Sequence, residues 1–491
     1  MISFLIALAA LVLGYFLYGS FVEKVFGADS KRPTPAVSKA DGVDFIPLPT
    51  WKVFMIQFLN IAGTGPIFGA IMGAMFGPAS YLWIVLGCIF GGAVHDYMTG
   101  MLSVRHGGVG YPEIVGKYLG DGTKKVMLAF SVLLLLMVGA VFVYSPAVIL
   151  GGMTGGWFSG SAFTASMFWV GVILIYYVVA TLLPVDKIIG RIYPVFAISL
   201  LFMALALGLC LLVKWPGIPE VWEQGSFSMN GPAAPFFPCL FITIACGAVS
   251  GFHATQSPLM ARCIKDERLG RPVFYGAMIC EGIVALIWAT VASWFFYDGG
   301  AAALGAEGVT DAPTIVKTVA PAWLGIVGGI LALLGVVAAP ITSGDTAFRS
   351  ARLIIADFLR LDQKPMRNRL LISVPLFAVA GLLLWYNIAD ANGFNKIWGY
   401  FGWANQTLAV FALWTITVFL TVSKPRGSWY FLIGLIPALF MTTVCATYIA
   451  IARIGFNLPA DWHYAIGLGV AAVSLGLFVW WHRGRGRKTG E

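Results

Sequence analysis

Apolar runs of about 20 residues follow one another along the chain, separated by short polar stretches, and that is the length a helix needs to cross a bilayer. Thirteen spans are predicted, at 2–22, 53–76, 80–104, 124–150, 163–183, 188–213, 236–256, 271–297, 322–343, 369–388, 397–421, 429–452 and 463–482. Two of them are broken alike. Span 2 is interrupted by Asn60-Ile61-Ala62-Gly63-Thr64-Gly65-Pro66, and span 7 by Gly247-Ala248-Val249-Ser250-Gly251-Phe252-His253, with Pro258 just beyond. A spanning helix satisfies its own backbone, so such breaks are tolerated at membrane depth where protein buries them or where they line a wet cavity. A matched pair in the two halves of a chain points to the binding site of a secondary transporter.

Composition agrees with the pattern. The 491 residues are 59% hydrophobic and 11% charged, against roughly 25% charged in soluble domains. Span 1 lacks a basic leader and a small-residue cleavage site, so it is expected to remain as an uncleaved span. Seven cysteines without paired spacing argue against a disulfide framework or a zinc site. The net charge of +9 is topological: Lys and Arg divide 27 to 4 between alternate loops, counted with the tail and the span ends beside them. Since basic loops stay on the cytoplasmic side, the N-terminus is expected outside and the tail from Arg483 to Lys488 inside. Nucleic acid is therefore no expected partner; a small-molecule substrate and the lipid bilayer are.

In that topology span 2 runs outward and span 7 inward. The fold class expected is an all-α polytopic membrane protein with about 13 helices and an inverted repeat of 5+5 helices. Residues 53–213 and 236–421 form the two repeats, each beginning with its broken helix, inside a single membrane domain of residues 1–491. Residues 1–22 and 429–482 supply peripheral helices. The sequence carries no signal for an oligomeric state.

The stretch Phe58-Leu59-Asn60-Ile61-Ala62-Gly63-Thr64-Gly65-Pro66, then Gly91-Gly92-Ala93-Val94-His95-Asp96-Tyr97-Met98, resembles the carbon starvation protein A family. So do Phe241-Ile242-Thr243-Ile244-Ala245-Cys246-Gly247-Ala248-Val249-Ser250-Gly251-Phe252-His253-Ala254 and Phe401-Gly402-Trp403-Ala404-Asn405-Gln406-Thr407-Leu408-Ala409. The resemblance implies a bacterial inner-membrane transporter for nutrient scavenging, with peptides and pyruvate as proposed substrates. It also implies membership of the amino acid–polyamine–organocation superfamily, and with it a LeuT-type inverted repeat of 5+5 helices. The chain departs from that pattern at Gln57, where histidine is expected, and at Thr255-Gln256-Ser257-Pro258.

Around the first break, Asn60, Gly63, Thr64 and Gly65 offer free backbone groups and an amide near mid-membrane, chemistry that suits a substrate carboxylate. Gly69 and Gly73 are read instead as a packing face. Ser250, His253 and Gln256 crowd the second break, and Asn405 in span 11 joins the substrate candidates. Span 9 ends with Thr342 and Ser343. In the LeuT-type arrangement these hydroxyls, with the carbonyls of Leu59, Ala62 and Ala339, would hold a sodium ion, a hard cation that prefers oxygen. The alternative is that both hydroxyls bond back to their own helix. Intramembrane ionisable groups are functional hypotheses by default, and Asp96, Glu281 and His253 are the candidates for carrying a proton. Asp96 has a structural alternative in pairing with Arg105, and Asp345 in pairing with Arg349 at i,i+4. No H-E-x-x-H, Walker A or G-x-S-x-G motif is present, so no enzyme activity and no cofactor is expected beyond the sodium ion. An intramembrane enzyme or a channel is the alternative reading. His95 and Asp96 point about 100° apart on a helix, which counts against their acting together.

Overall fold

The computed structural model describes all residues except 159, 184–188, 224–233, 391–392, 426, 460–461 and 488–491, and gives only the backbone course of 162, 189–192, 393–395 and 485–487. Lys488, at the end of the basic tail, lies outside the described residues. Among the described residues every regular element is helical. Eleven helices among the described residues are long and apolar enough to span, from Ile2–Phe26 to His463–Gly484. A twelfth span is the bent pair Thr50–Ile61 and Gly65–Ala74, whose halves meet at 55°. The remaining predicted span, span 7, is two short half-helices, Phe236–Thr243 and Phe252–Ala261.

Span 9 differs most from its expected limits. Helical structure runs over Ala312–Leu359 in two segments that join at a kink, where Gly325 is non-helical (φ 69°). It runs on well past Ser343, so Asp345, Arg349 and Arg352 lie in helix rather than in a loop. Burial explains the overrun: Thr342 through Leu353 is buried without interruption, and a helix pairs the buried backbone that a loop would leave unsatisfied.

The two broken segments lie against each other at the centre. The half-helix Thr50–Ile61 packs on span 6 and on Phe252–Ala261, and Ala70–Ala74 packs on span 8 and on Phe236–Thr243. Small residues make this approach feasible. A Cβ added at Gly65 would sit 2.3 Å from Cys246 Cβ, one at Gly69 would sit 2.7 Å from the Thr243 carbonyl oxygen, and one at Gly73 2.2 Å from Ile244 Cγ1. Gly69 and Gly73 are thus the packing face expected of them. Gly247 turns the second break with φ +90°, a conformation that side-chained residues avoid, and its added Cβ would lie 3.8 Å from Pro66 Cα.

Outside this core, spans 4, 5, 6 and 9 pack together, and span 12 joins span 11 to span 13. Aromatic residues at helix ends, among them Trp157, Trp215, Trp429 and Trp462, are exposed, as an interfacial belt requires.

Candidate functional site

The first break is brief. The helix stops at Ile61, Ala62 takes φ −79° and ψ 59°, and a wide turn resumes at Gly65. Gln57 and Asn60 fall at i and i+3, on one face of the half-helix, and Thr64 follows within the break. All three are fully buried, and neither amide atom of Gln57 or Asn60, nor the Thr64 hydroxyl, has a hydrogen-bond partner. Buried polar groups are normally paired, so these donors and acceptors are candidates for a ligand. Gln57 was noted in the sequence only as a departure from a family pattern. Gly63 lies beside the Phe142 ring, and Phe142 in turn meets Phe252 and Phe401 at centroid distances of 6.4 and 6.2 Å.

The second break is longer and is held from other helices. Trp83 Nε1 donates to the Ile244 carbonyl at 2.8 Å. Asn405 Oδ1 accepts from the Phe252 backbone N–H at 2.7 Å and from Ser250 Oγ at 3.1 Å. Asn405 therefore caps the half-helix Phe252–Ala261, with its Nδ2 left unpartnered. Gln256 is tied at both ends, donating to Thr255 Oγ1 at 2.8 Å and accepting from Ser350 Oγ at 3.3 Å.

Next to this break a chain of buried ionisable groups crosses three helices. Asp96 Oδ1 lies 2.8 Å from His95 Nδ1, and Asp96 Oδ2 lies 2.8 Å from His253 Nδ1. On the far side of the ring, His253 Nε2 is 3.5 Å from Glu281 Oε2. All four side chains are fully buried. Both Glu281 oxygens and His253 Nε2 have no hydrogen-bond partner. Cys246, His253 and Glu281 bring one ligand atom each within 4.8 Å of one another, a donor set that could hold a metal ion. The sequence concealed this set because its members come from spans 7 and 8. Neither structural pairing expected for the carboxylates forms. Arg105 pairs with Glu267, 3.2 Å away, leaving Asp96 to the two histidines. The 100° offset between His95 and Asp96 is bridged by their side chains, which are long enough to turn toward each other.

Asp345 also lacks its expected partner. It accepts from Tyr176 at 2.6 Å and from Tyr193, both on neighbouring spans. At the candidate sodium position the two hydroxyls part company. Ser343 Oγ donates to the Leu59 carbonyl at 2.9 Å, across to the first break. Thr342 Oγ1 bonds back to Ala338 and Ala339 of its own helix at 3.0 and 2.9 Å.

Arg349 turns toward the membrane face that carries the basic loops. Its guanidinium lies 3.4 Å from Asp44, and that of Arg352 lies 3.7 Å from the same oxygen. Asp44 belongs to the segment between span 1 and the first broken helix. That segment is strapped across this face by Thr34 Oγ1 donating to the Ile264 carbonyl and Leu48 N–H to that of Cys263. Burial raises the Asp44 carboxyl, but the guanidinium groups of Arg352, Arg349 and Arg262 outweigh it and hold Asp44 below the usual carboxylate range. With the folded value below the unfolded one of about 3.9, the pairing contributes fully above that pH and is lost as pH falls through the folded value. Hydrogen exchange of residues 34–48 is therefore expected to be unchanged between pH 7 and pH 5 once corrected for intrinsic rates. Asp44→Asn leaves two buried guanidinium groups without a carboxylate, a loss of about 3–5 kcal/mol, and should raise that exchange at least tenfold. Unchanged exchange in Asp44→Asn would show that the strap does not depend on the ion pair.

A sequence profile described as "Carbon starvation protein CstA" matches residues 1–159, 143–325 and 298–448. An uncharacterized membrane protein of Haemophilus influenzae is 45% identical over 341 residues, covering 60% of this chain and 91% of its own. A protein of Campylobacter jejuni named "Peptide transporter CstA" is 28% identical over 549 residues, covering 89% of this chain and 78% of its own. Among solved structures, MhsT in complex with L-phenylalanine superposes with a TM-score of 0.56 at 16% identity, covering 80% of this chain and 96% of that one. This likeness establishes the LeuT-type fold.

Proposed function

Because the chain belongs to the carbon starvation protein CstA family, we propose that it is a secondary active transporter in a bacterial inner membrane. It imports a small carboxylate-bearing nutrient (a short peptide, an amino acid or pyruvate) during carbon starvation, by ion-coupled alternating access. Relatives named peptide transporters support transport. The unpartnered amides of Gln57 and Asn60 beside the Thr64 hydroxyl supply both donors and acceptors, which suits a substrate with amide as well as carboxylate groups. The basic loops, including the strap around Asp44, are cytoplasmic in this reading, and the N-terminus is outside.

The coupling ion proposed is the proton, and the observation that carries it is the continuous chain Asp96–His253–Glu281 beside the second break. Imidazole is the side chain whose ordinary titration lies near neutral pH, and here it sits between two carboxyl groups. A proton exchanged across His253 changes the charge next to Cys246 and Gly247, where the two broken helices meet. Ion and substrate then bias the same packing contact, which is the condition for linked binding. Sodium is the second reading. It is favoured by the Ser343 hydroxyl reaching the Leu59 carbonyl, and weakened by the Thr342 hydroxyl being spent on its own helix.

Uptake into proteoliposomes separates these readings. Labelled alanyl-alanine, alanine and pyruvate should accumulate when the outside is acidic, in sodium-free buffer, and an imposed sodium gradient at equal pH should add nothing. Accumulation only with sodium would sink the proton reading, and no accumulation of any of the three under either gradient would sink import of small carboxylates.

A further inference from the structure

A cavity of about 680 Å³ opens on the membrane face opposite the basic loops. Its floor is formed by both broken segments, through Met75 and Thr243, and its walls come from the end of span 12 and the start of span 13, through Tyr448, Arg453, His463 and Tyr464. Below Thr243 lies Gly69, at the seam of the two broken helices. The cavity thus stands directly over the contact that alternating access must part.

Arg453 is held there by a built turn. Gly455 N–H donates to the Ala452 carbonyl at 2.8 Å, Phe456 N–H to Ile449 at 2.9 Å and Leu458 N–H to Ala450 at 2.8 Å, folding the chain back over span 12. Nε2 of His463 closes the turn, 2.8 Å from the Leu458 carbonyl. Of the three other cations of this face, Lys396 pairs with Asp390 at 2.7 Å, Lys214 lies over the Trp323 ring at 5.7 Å, and Lys317 is exposed but does not line the cavity. Arg453 is exposed and makes no ion pair among the described residues. A guanidinium presents its donors as a planar fork that matches a carboxylate bidentately, and a charge in a cleft gathers counter-ions from solution.

We propose that this vestibule is a first binding station for the substrate's carboxylate, with Arg453 as its anchor. The proposal rests on the carboxylate reading above and on this face being the outer one. It gives spans 12 and 13, which lie outside the inverted repeat, a part in substrate capture.

The test compares alanyl-alanine with its C-terminal amide in proteoliposomes. Arg453→Gln should raise KM for alanyl-alanine about tenfold at little cost in kcat, leave the amide unaffected, and be largely rescued by Arg453→Lys. An unchanged KM for alanyl-alanine, or the same rise for the amide, overturns the proposal. A second readout needs no transport. With Cys239 replaced by alanine, a cysteine introduced by Tyr464→Cys should be labelled by a membrane-impermeant thiol reagent. Millimolar alanyl-alanine should protect it, and Arg453→Gln should abolish that protection. Absence of protection with Arg453 intact overturns the vestibule, and protection that survives Arg453→Gln overturns Arg453 as its anchor. Protection without any uptake supports the vestibule and overturns only the proposed transport.

Discussion

Glu281→Gln is expected to reduce pH-driven accumulation of substrate at least tenfold while exchange of labelled for unlabelled substrate across the membrane persists. Accumulation requires a group that binds a proton on one side and releases it on the other. Exchange requires only that the loaded carrier reorient. Glu281 is suited to the first role by position, 3.5 Å from His253 Nε2, with both its oxygens unpartnered and no exposure. Glutamine keeps the shape and removes the titration, so the packing of span 8 against the broken segments is preserved. His253→Gln should abolish both accumulation and most exchange, because it also removes the contact to Asp96. The measurement is uptake and counterflow in the same proteoliposomes. If Glu281→Gln accumulates substrate normally, while Thr342→Ala with Ser343→Ala abolishes sodium-stimulated uptake, coupling runs through sodium instead.

Gly65→Ala is expected to destabilise the folded transporter by about 1–3 kcal/mol, the usual cost of forcing volume into a packed interior, and to abolish transport. Its new Cβ would stand 2.3 Å from Cys246 Cβ and 2.4 Å from its sulfur, so the two broken helices must move apart at the contact where they meet. Adding Cys246→Gly removes the colliding atoms and should restore at least half of the lost stability, a coupling that a double-mutant cycle reads directly. Gly69→Ala offers the contrast. Its Cβ meets the Thr243 carbonyl oxygen at 2.7 Å, which is backbone, so no side-chain deletion can relieve it. Thermal unfolding in detergent together with uptake measures all four variants. Additive effects of Gly65→Ala and Cys246→Gly would mean that the helices do not meet there in the functional protein.

Much of the architecture was legible along the chain because its causes are local. Backbone hydrogen bonding in lipid forces helices of a set length, so apolar runs announce spans. Glycine with proline at membrane depth announces a break, and the helix does stop at Ile61. The second break begins earlier than expected, after Thr243, and Phe252, His253 and Pro258 belong to the helix that follows it. The packing role of Gly69 and Gly73 followed in the same way from their spacing on one face.

The site chemistry was legible only as a set of residue types. Asp96, His253 and Glu281 could be singled out one at a time, since a charge in the membrane needs a reason. Their union could not, because Asp96 and His253 stand 157 positions apart in the chain. The nearer partners favoured by spacing, Arg105 for Asp96 and Arg349 for Asp345, proved to be committed to Glu267 and Asp44. Tyr176 and Tyr193 took Asp345 instead, and nothing in an apolar run distinguishes those tyrosines from packing residues. Local sequence determines which residues share a helix face, because the 3.6-residue period is a property of the backbone. Which faces meet depends on the rotation, tilt and depth of each helix in the bundle, and these are decided by packing among all the spans at once.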